Sequence, residues 1–269
     1  MVEQSAIIKE LGVRVDFNAA QEIDKRIAFL KTYLIDSRQT AYVLGISGGV
    51  DSLAAGLLAQ RAVRELREDG HAATFIAARL PYGVQADEHD AAAAVAAIGP
   101  DRIVTMDIKP AADSLMAALL AGGIDPVHRH HFILGNVKAR QRMVAQYAIA
   151  GTTSGLVIGT DHAAEALMGF YTKYGDGAAD VLPLAGLNKR RVRAVAAALG
   201  APTSLVWKVP TADLESDAPL RPDEEVYGVT YDQIDDFLEG RSIEPAAAER
   251  VLSAYNGSVH KRALPVSPE

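Results

Sequence analysis

The segment Ser47-Gly48-Gly49-Val50-Asp51-Ser52 constrains this chain more than any other. It closes an apolar, β-branched and aromatic run, Ala41-Tyr42-Val43-Leu44-Gly45-Ile46, and opens an Ala/Leu-rich run, Leu53-Ala54-Ala55-Gly56-Leu57-Leu58. That order predicts a strand, a tight turn and a helix. The glycines let the backbone turn sharply and let an anion come close to the amides. The open N–H groups of the new helix, at its positive dipole end, then make a phosphate site. Ser47 and Ser52 add hydroxyl donors, and Asp51 supplies the hard oxygen that Mg2+ prefers.

The alternation continues along the chain. Asn18 is the expected N-cap of a helix whose apolar face carries Ile23, Ile27, Leu30 and Leu34. A second strand is expected over 73–80, stopped by Pro81, then a helix from Gln85 to Ile98 ending at Gly99-Pro100. Strands are expected over 103–108 and 155–160, with two helices between them, the second spanning 135–150, and a short fifth strand over 181–184. A helix over 189–199 halts at Gly200. Strands separated by helices imply a doubly wound α/β fold, a mostly parallel five-stranded sheet with helices on both faces. Ligands of such sheets sit beyond the carboxyl ends of the strands, which places Ser47, Pro81, Asp107 and Thr160 at one rim. The stretch 203–226, rich in acids and prolines, reads as a long loop, and with 80–88 it is a candidate lid.

Composition excludes several classes. At 269 residues the chain can bury a full α/β core, and a single domain over 1–269 is expected. No apolar run is long enough to cross a membrane, and Met1-Val2-Glu3-Gln4 does not begin a secretory signal, so a cytoplasmic protein is expected. The chain has no cysteine, hence no disulfide, thiolate metal site or cysteine nucleophile. A net charge of −7 argues against broad nucleic-acid binding.

The loop's wording narrows the chemistry. A Walker loop needs Gly-Lys, which occurs nowhere in the chain. Ser-Gly-Gly-x-Asp-Ser resembles the pyrophosphate loop of the N-type ATP pyrophosphatases, whose fold is adenine nucleotide alpha-hydrolase-like. Further along come Gly135-Asn136-Val137-Lys138-Ala139-Arg140-Gln141-Arg142-Met143, Gly159-Thr160-Asp161-His162-Ala163-Ala164-Glu165 and Thr172-Lys173-Tyr174-Gly175-Asp176-Gly177-Ala178-Ala179-Asp180. With Leu187-Asn188-Lys189-Arg190 and His260-Lys261-Arg262, these resemble the ammonia-dependent NAD synthetases over nearly the whole chain. Asn188 departs from the threonine expected there.

The resemblance implies a homodimer that converts deamido-NAD to NAD with ATP and ammonia, through an acyl adenylate, releasing AMP and pyrophosphate. It places ATP on Gly45, Ile46, Ser47, Gly48, Gly49, Val50, Asp51 and Ser52, with Thr160, Lys189 and Thr211. It makes Asp51 and Glu165 the Mg2+ ligands, and Lys189 the cation that steadies the departing pyrophosphate. Catalysis would then rest on Asp51, Glu165 and Lys189. Arg140, Lys173, Asp180, His260 and Lys261 would hold deamido-NAD, the last two reaching a dinucleotide bound largely by the other subunit. Phe132, Tyr147, Phe170 and Tyr33 are candidates for stacking on a ring, and Asp176 for taking a proton from ammonia.

The residues alone leave alternatives. Glu165 also suits a solvated first-turn acid, Lys189 a solvated basic helix face, and Asp180 an ordinary acid before a strand. The loop also fits the ATP-pyrophosphatase module of GMP synthetase or of a transfer-RNA modifying ligase. A non-catalytic adenine-nucleotide-binding regulatory protein could share the sheet, but it has no need for two metal carboxylates and a leaving-group lysine.

Overall fold

A computed structural model describes residues 4–84, 88–211, 222–263 and 265–268. The elements run α1 (Gln4–Glu10), α2 (Ala19–Asp36), β1 (Ala41–Gly45), α3 (Val50–Glu68), β2 (Thr74–Arg79), α4 (Glu88–Ile98), β3 (Arg102–Thr105), α5 (Lys109–Ala121) and α6 (His130–Thr152). They continue with β4 (Gly155–Val157), α7 (Ala163–Met168), α8 (Lys189–Ala198), α9 (Thr203–Val206), α10 (Asp223–Tyr227), α11 (Tyr231–Leu238), α12 (Pro245–Gly257) and α13 (Val259–Arg262). Asn18 caps α2 as its sequence implies, its side chain accepting the Gln21 N–H at 3.1 Å.

The four strands pair in parallel in the order β3-β2-β1-β4, with Ala41 of β1 opposite Thr74 on one side and Gly155 on the other. Side chains alternate across the sheet, so β1 divides its residues between two layers. Tyr42 and Leu44 join Ile27, Leu30, Leu53, Leu58 and Val192, packing α2, α3 and α8 on one face. Ala41 and Val43 join Ile149 and Ala150 of α6 on the other. A separate helical core gathers Ile7, Leu167, Tyr231, Ile234, Leu238 and Val251 from α1, α7, α11 and α12.

The expected fifth strand does not form among the described residues. Val181 makes a single parallel bridge to Ile158, and pairing stops there. Pro183 has no N–H to offer a ladder. The carbonyls of Pro183 and Ala185 are instead taken by the Arg26 guanidinium. β3 is also shorter than expected and ends at Thr105. The predicted loop over 203–226 begins with α9 and ends in α10, and an antiparallel bridge joins Thr211 to Pro222. Within the two candidate lids, 85–87 and 212–221 lie outside the described residues, as does Gln85, the expected start of α4.

β2 lies on one side of β1 and β4 on the other. The loops leaving β1 and β4 therefore diverge, opening a crevice at their carboxyl ends.

Candidate active site

The crevice is a cavity of about 390 Å3. At its floor the phosphate loop is braced by its own serines. The Ser47 N–H donates to Ser52 Oγ at 3.3 Å, and the Gly49 N–H to Ser47 Oγ at 3.3 Å. The N-cap of α3 is Gly49, which has no side chain to occupy the first-turn amides. Gly48 holds φ at +86°, in the left-handed region, and backs directly onto the first turn of α4. Glycine is needed there for both conformation and space.

Asp51 enters from the first turn of α3, Glu165 from the first turn of α7, and Lys189 from the start of α8. Lys189 Nζ lies 2.7 Å from Asp51 Oδ2, with the lysine side chain 2% exposed and the aspartate 18%. Asp51 Oδ1 is buried without a hydrogen-bond partner. The ligating atoms of Asp51, His162 and Glu165 all fall within 4.8 Å of one another. Burial opposes charge on Asp51, but Lys189 and then His162 outweigh it and hold the carboxyl well below the usual range. Burial pushes Glu165 up to about 8, with Asp51 adding to the rise and His162 opposing it. Lys189 therefore offsets the charge of Asp51, while burial beside that carboxylate disfavours charge on Glu165. An orphaned carboxylate oxygen beside a second carboxylate is the hard-oxygen donor set that suits Mg2+. The residues fit that ion.

His162 was singled out by no sequence argument, although it lies inside the motif that carries Thr160 and Glu165. It is the N-cap of α7, its Nδ1 accepting the Glu165 N–H at 3.4 Å. Its Nε2 faces Asp51 Oδ1 at 3.4 Å, Lys189 Nζ at 3.5 Å and Glu165 Oε1 at 3.7 Å. Histidine at the residue before an α-helix, three positions ahead of a glutamate, was the available signal.

Of the expected ATP residues, Gly45, Ile46, Ser47, Gly49, Val50, Asp51, Ser52, Thr160, Lys189 and Thr211 line the cavity, and Gly48 is not among the lining residues. The expected dinucleotide residues divide. Lys261 lines the cavity of its own chain, donating to the carbonyls of Gly169 and Tyr171, each at 2.8 Å. Arg140, Lys173, Asp180 and His260 are not among the lining residues. Arg140 donates to the Lys173 carbonyl, and Lys173 donates to the carbonyl of His260. Asp180 accepts the Val157 N–H at 2.7 Å, which gives it a structural duty at the end of β4. Among the candidate stacking rings, Phe132 and Phe170 line the cavity. Tyr147 lies against Asp180 at 3.5 Å, and Tyr33 packs beside Phe29 on α2. Asp176 lines the cavity and accepts the Thr172 N–H at 2.9 Å. Asn188 replaces the expected threonine without losing the cap, since its side chain accepts the Arg191 N–H at 3.0 Å.

Comparison with known proteins identifies the family. The sequence profile of the NAD synthase family matches residues 22–265. The chain is 60% identical over 264 residues to the NH(3)-dependent NAD(+) synthetase of Burkholderia cenocepacia, covering 97% of this chain and 94% of that one. The crystal structure of NAD+ synthetase from Burkholderia pseudomallei superposes with a TM-score of 0.85 at 56% identity, over 97% of this chain and 96% of that one. NMN synthetase from Francisella tularensis is similar at 34% identity, with a TM-score of 0.82 over 94% and 99% of the two chains.

Proposed function

The chain belongs to the NAD synthase family and is a ligase that amidates deamido-NAD with ammonia and ATP, and we infer that it does so through an acyl adenylate formed beside Asp51, Glu165 and Lys189. The observation that carries this reading is the contact of Lys189 with Asp51 at the root of a phosphate loop without a Walker lysine.

A carboxylate is a poor electrophile because oxide is a poor leaving group. A nicotinate oxygen forms a bond to the α-phosphorus of ATP, and the bond from that phosphorus to the bridging oxygen breaks as pyrophosphate departs. Ammonia then attacks the acyl carbon, the bond to AMP breaks, and nitrogen gives up a proton. The amides of the phosphate loop and the hydroxyls of Ser47 and Ser52 bind the departing pyrophosphate, and the Lys189 ammonium balances its growing charge. Asp51 and Glu165 would hold Mg2+, which would supply positive charge against the phosphate oxygens. His162 lies beside both carboxylates. Thr160 and Thr211 contact ATP from the cavity wall, and Asp176 is placed to take the proton from nitrogen.

A second copy of the chain completes the dinucleotide site. Arg140, Lys173, Asp180 and His260 lie outside the cavity, so a substrate spanning both must run across the surface beside α6. Exposed apolar side chains occur on α5, on α6 and between them, including Leu115, Leu120, Ile124, Val127 and Val144. Phe132, 51% exposed, belongs to both the face and the cavity. A symmetric dimer through α5 and α6 would cover them.

Incubation with ATP, Mg2+, ammonium chloride and deamido-NAD, scored for NAD, AMP and pyrophosphate, tests the reaction. A parallel arm with nicotinic acid mononucleotide as acceptor tests the likeness to NMN synthetase. ADP and orthophosphate as products would overturn the adenylate route.

A further inference from the structure

Lys189 is gripped at both ends by one helix, α11. At the backbone end, Asp235 Oδ1 accepts the Lys189 N–H at 3.1 Å and Oδ2 accepts the Arg190 N–H at 2.7 Å. These are first-turn amides of α8, which have no partner within their own helix. At the ammonium end, the Tyr231 ring lies 4.9 Å from Nζ. Residues four apart share a helix face, so Tyr231 and Asp235 form one cradle. The Tyr231 hydroxyl donates to Asp223 at 2.9 Å, which fixes the ring. α11 is itself held by a capping box of Thr230 and Gln233.

Asp235 is not needed merely to cap α8 or to dock it. Asn188 already caps that helix. Arg190 ties the two helices at the surface through Asp232, Asp236 and Glu239. Asp235 is 1% exposed, and burying a carboxylate is costly unless its oxygens are well used. What it adds to the surface pairs is a fixed axial position and rotation for the first residue of α8.

We propose that Asp235 and Tyr231 are positioning residues that hold the Lys189 ammonium against Asp51, Asp235 acting through the backbone without touching substrate. The proposal rests on the role given to Lys189 above.

Asp235→Asn tests it, since the amide keeps one acceptor oxygen and turns an NH2 group toward a backbone N–H. The folded variant should bind ATP within about threefold of wild type while kcat falls at least about tenfold. In ligand-free protein, trace acetylation of Lys189 by acetic anhydride, read by mass spectrometry against the other lysines, should rise severalfold. Tyr231→Leu should raise the labelling too, and by more than Tyr231→Phe, which keeps the ring and loses only its tie to Asp223. Asp236→Asn cuts surface pairs of Arg190 and Arg241 without touching the cradle, and should alter neither labelling nor kcat. If Asp235→Asn does not fold, Asp235→Glu, which keeps the charge and displaces it by one methylene, takes its place with the same expectations in smaller measure. Unchanged labelling and kcat in the folded Asp235 variant, or an equal change in Asp236→Asn, would overturn the proposal. Raised labelling with unchanged turnover would uphold the positioning and overturn instead the part given to Lys189 in the reaction.

Discussion

Replacing Gly48 by alanine should damage the protein, while the same change at Gly49 should not. Gly48 has φ +86°, and a Cβ built on it lies 2.7 Å from the Ala91 nitrogen and 2.9 Å from the Asp90 carbonyl carbon. The left-handed conformation costs an L-residue about 1–2 kcal/mol. The overlap is with backbone, which cannot swing aside, so α4 must shift at a cost of about 1–3 kcal/mol. Together these give roughly 2–5 kcal/mol. At roughly 2–4 °C per kcal/mol, a loss of about 3 kcal/mol lowers the melting temperature by roughly 6–12 °C. Gly49 instead has φ −81° and ψ 160°, and its Cβ would meet only Ser47 Oγ at 3.5 Å. Gly49→Ala should unfold within about 0.5 kcal/mol of wild type. Urea denaturation of both variants without ligand decides it. A Gly48→Ala midpoint equal to wild type, or an equal loss in Gly49→Ala, would refute the steric argument.

Asp51→Asn should fold normally and lose at least about tenfold in turnover at limiting Mg2+; wild-type turnover there would remove Asp51 from the metal shell. The chain alone should use ammonia and not glutamine, because glutamine hydrolysis in such synthetases normally needs a cysteine thiolate and this chain has no cysteine. At fixed total ammonium, turnover should rise as pH becomes mildly alkaline and neutral ammonia accumulates; equal NAD formation from glutamine would contradict this. Burial, with Asp176 and Asp51 nearby, raises Asp161 to about 8, and burial raises Asp235 to about 6. Both values exceed the unfolded 3.8, so between pH 5 and 8 the folded chain holds protons that the unfolded chain has released. Stability of the ligand-free protein should therefore fall by at least about 1 kcal/mol across that window, measured by urea titration at each pH. A flat or rising profile would count against these buried acids.

Much of this was legible in the sequence because it is local. The Asn18 cap, the strand before Ser47 and the helix after it depend on neighbours a few positions away. The motifs holding Asp51 and Glu165 lie at helix starts beyond β1 and β4, so the parallel sheet brings them to one rim, and Lys189 joins them from the start of α8. The missed features are long-range. Asp235 meets Lys189 across a separation of 46 residues, and its own surroundings, Ile234 and Asp236, read as an ordinary amphipathic helix. The fifth strand failed because Arg26, on α2, claims carbonyls that the local pattern assigned to pairing. Lys261 appeared as one cation among three, and only the fold of α13 onto the 169–171 turn carries it into its own cavity.

That last contact bears on how the enzyme comes off the ribosome. Asp51, Glu165 and Lys189 are synthesised well before Lys261. The turn at Gly169 is finished only when Ser258 packs against it and Lys261 ties off its carbonyls. Gly169 holds φ at +62°, and a side chain there would strike Ser258, so the join tolerates no substitute. A nascent chain halted before Ser258 has the carboxylates and the lysine but an unfinished wall. The cavity wall at 169–171 is thus completed by 258–261, the part of the site that is translated last.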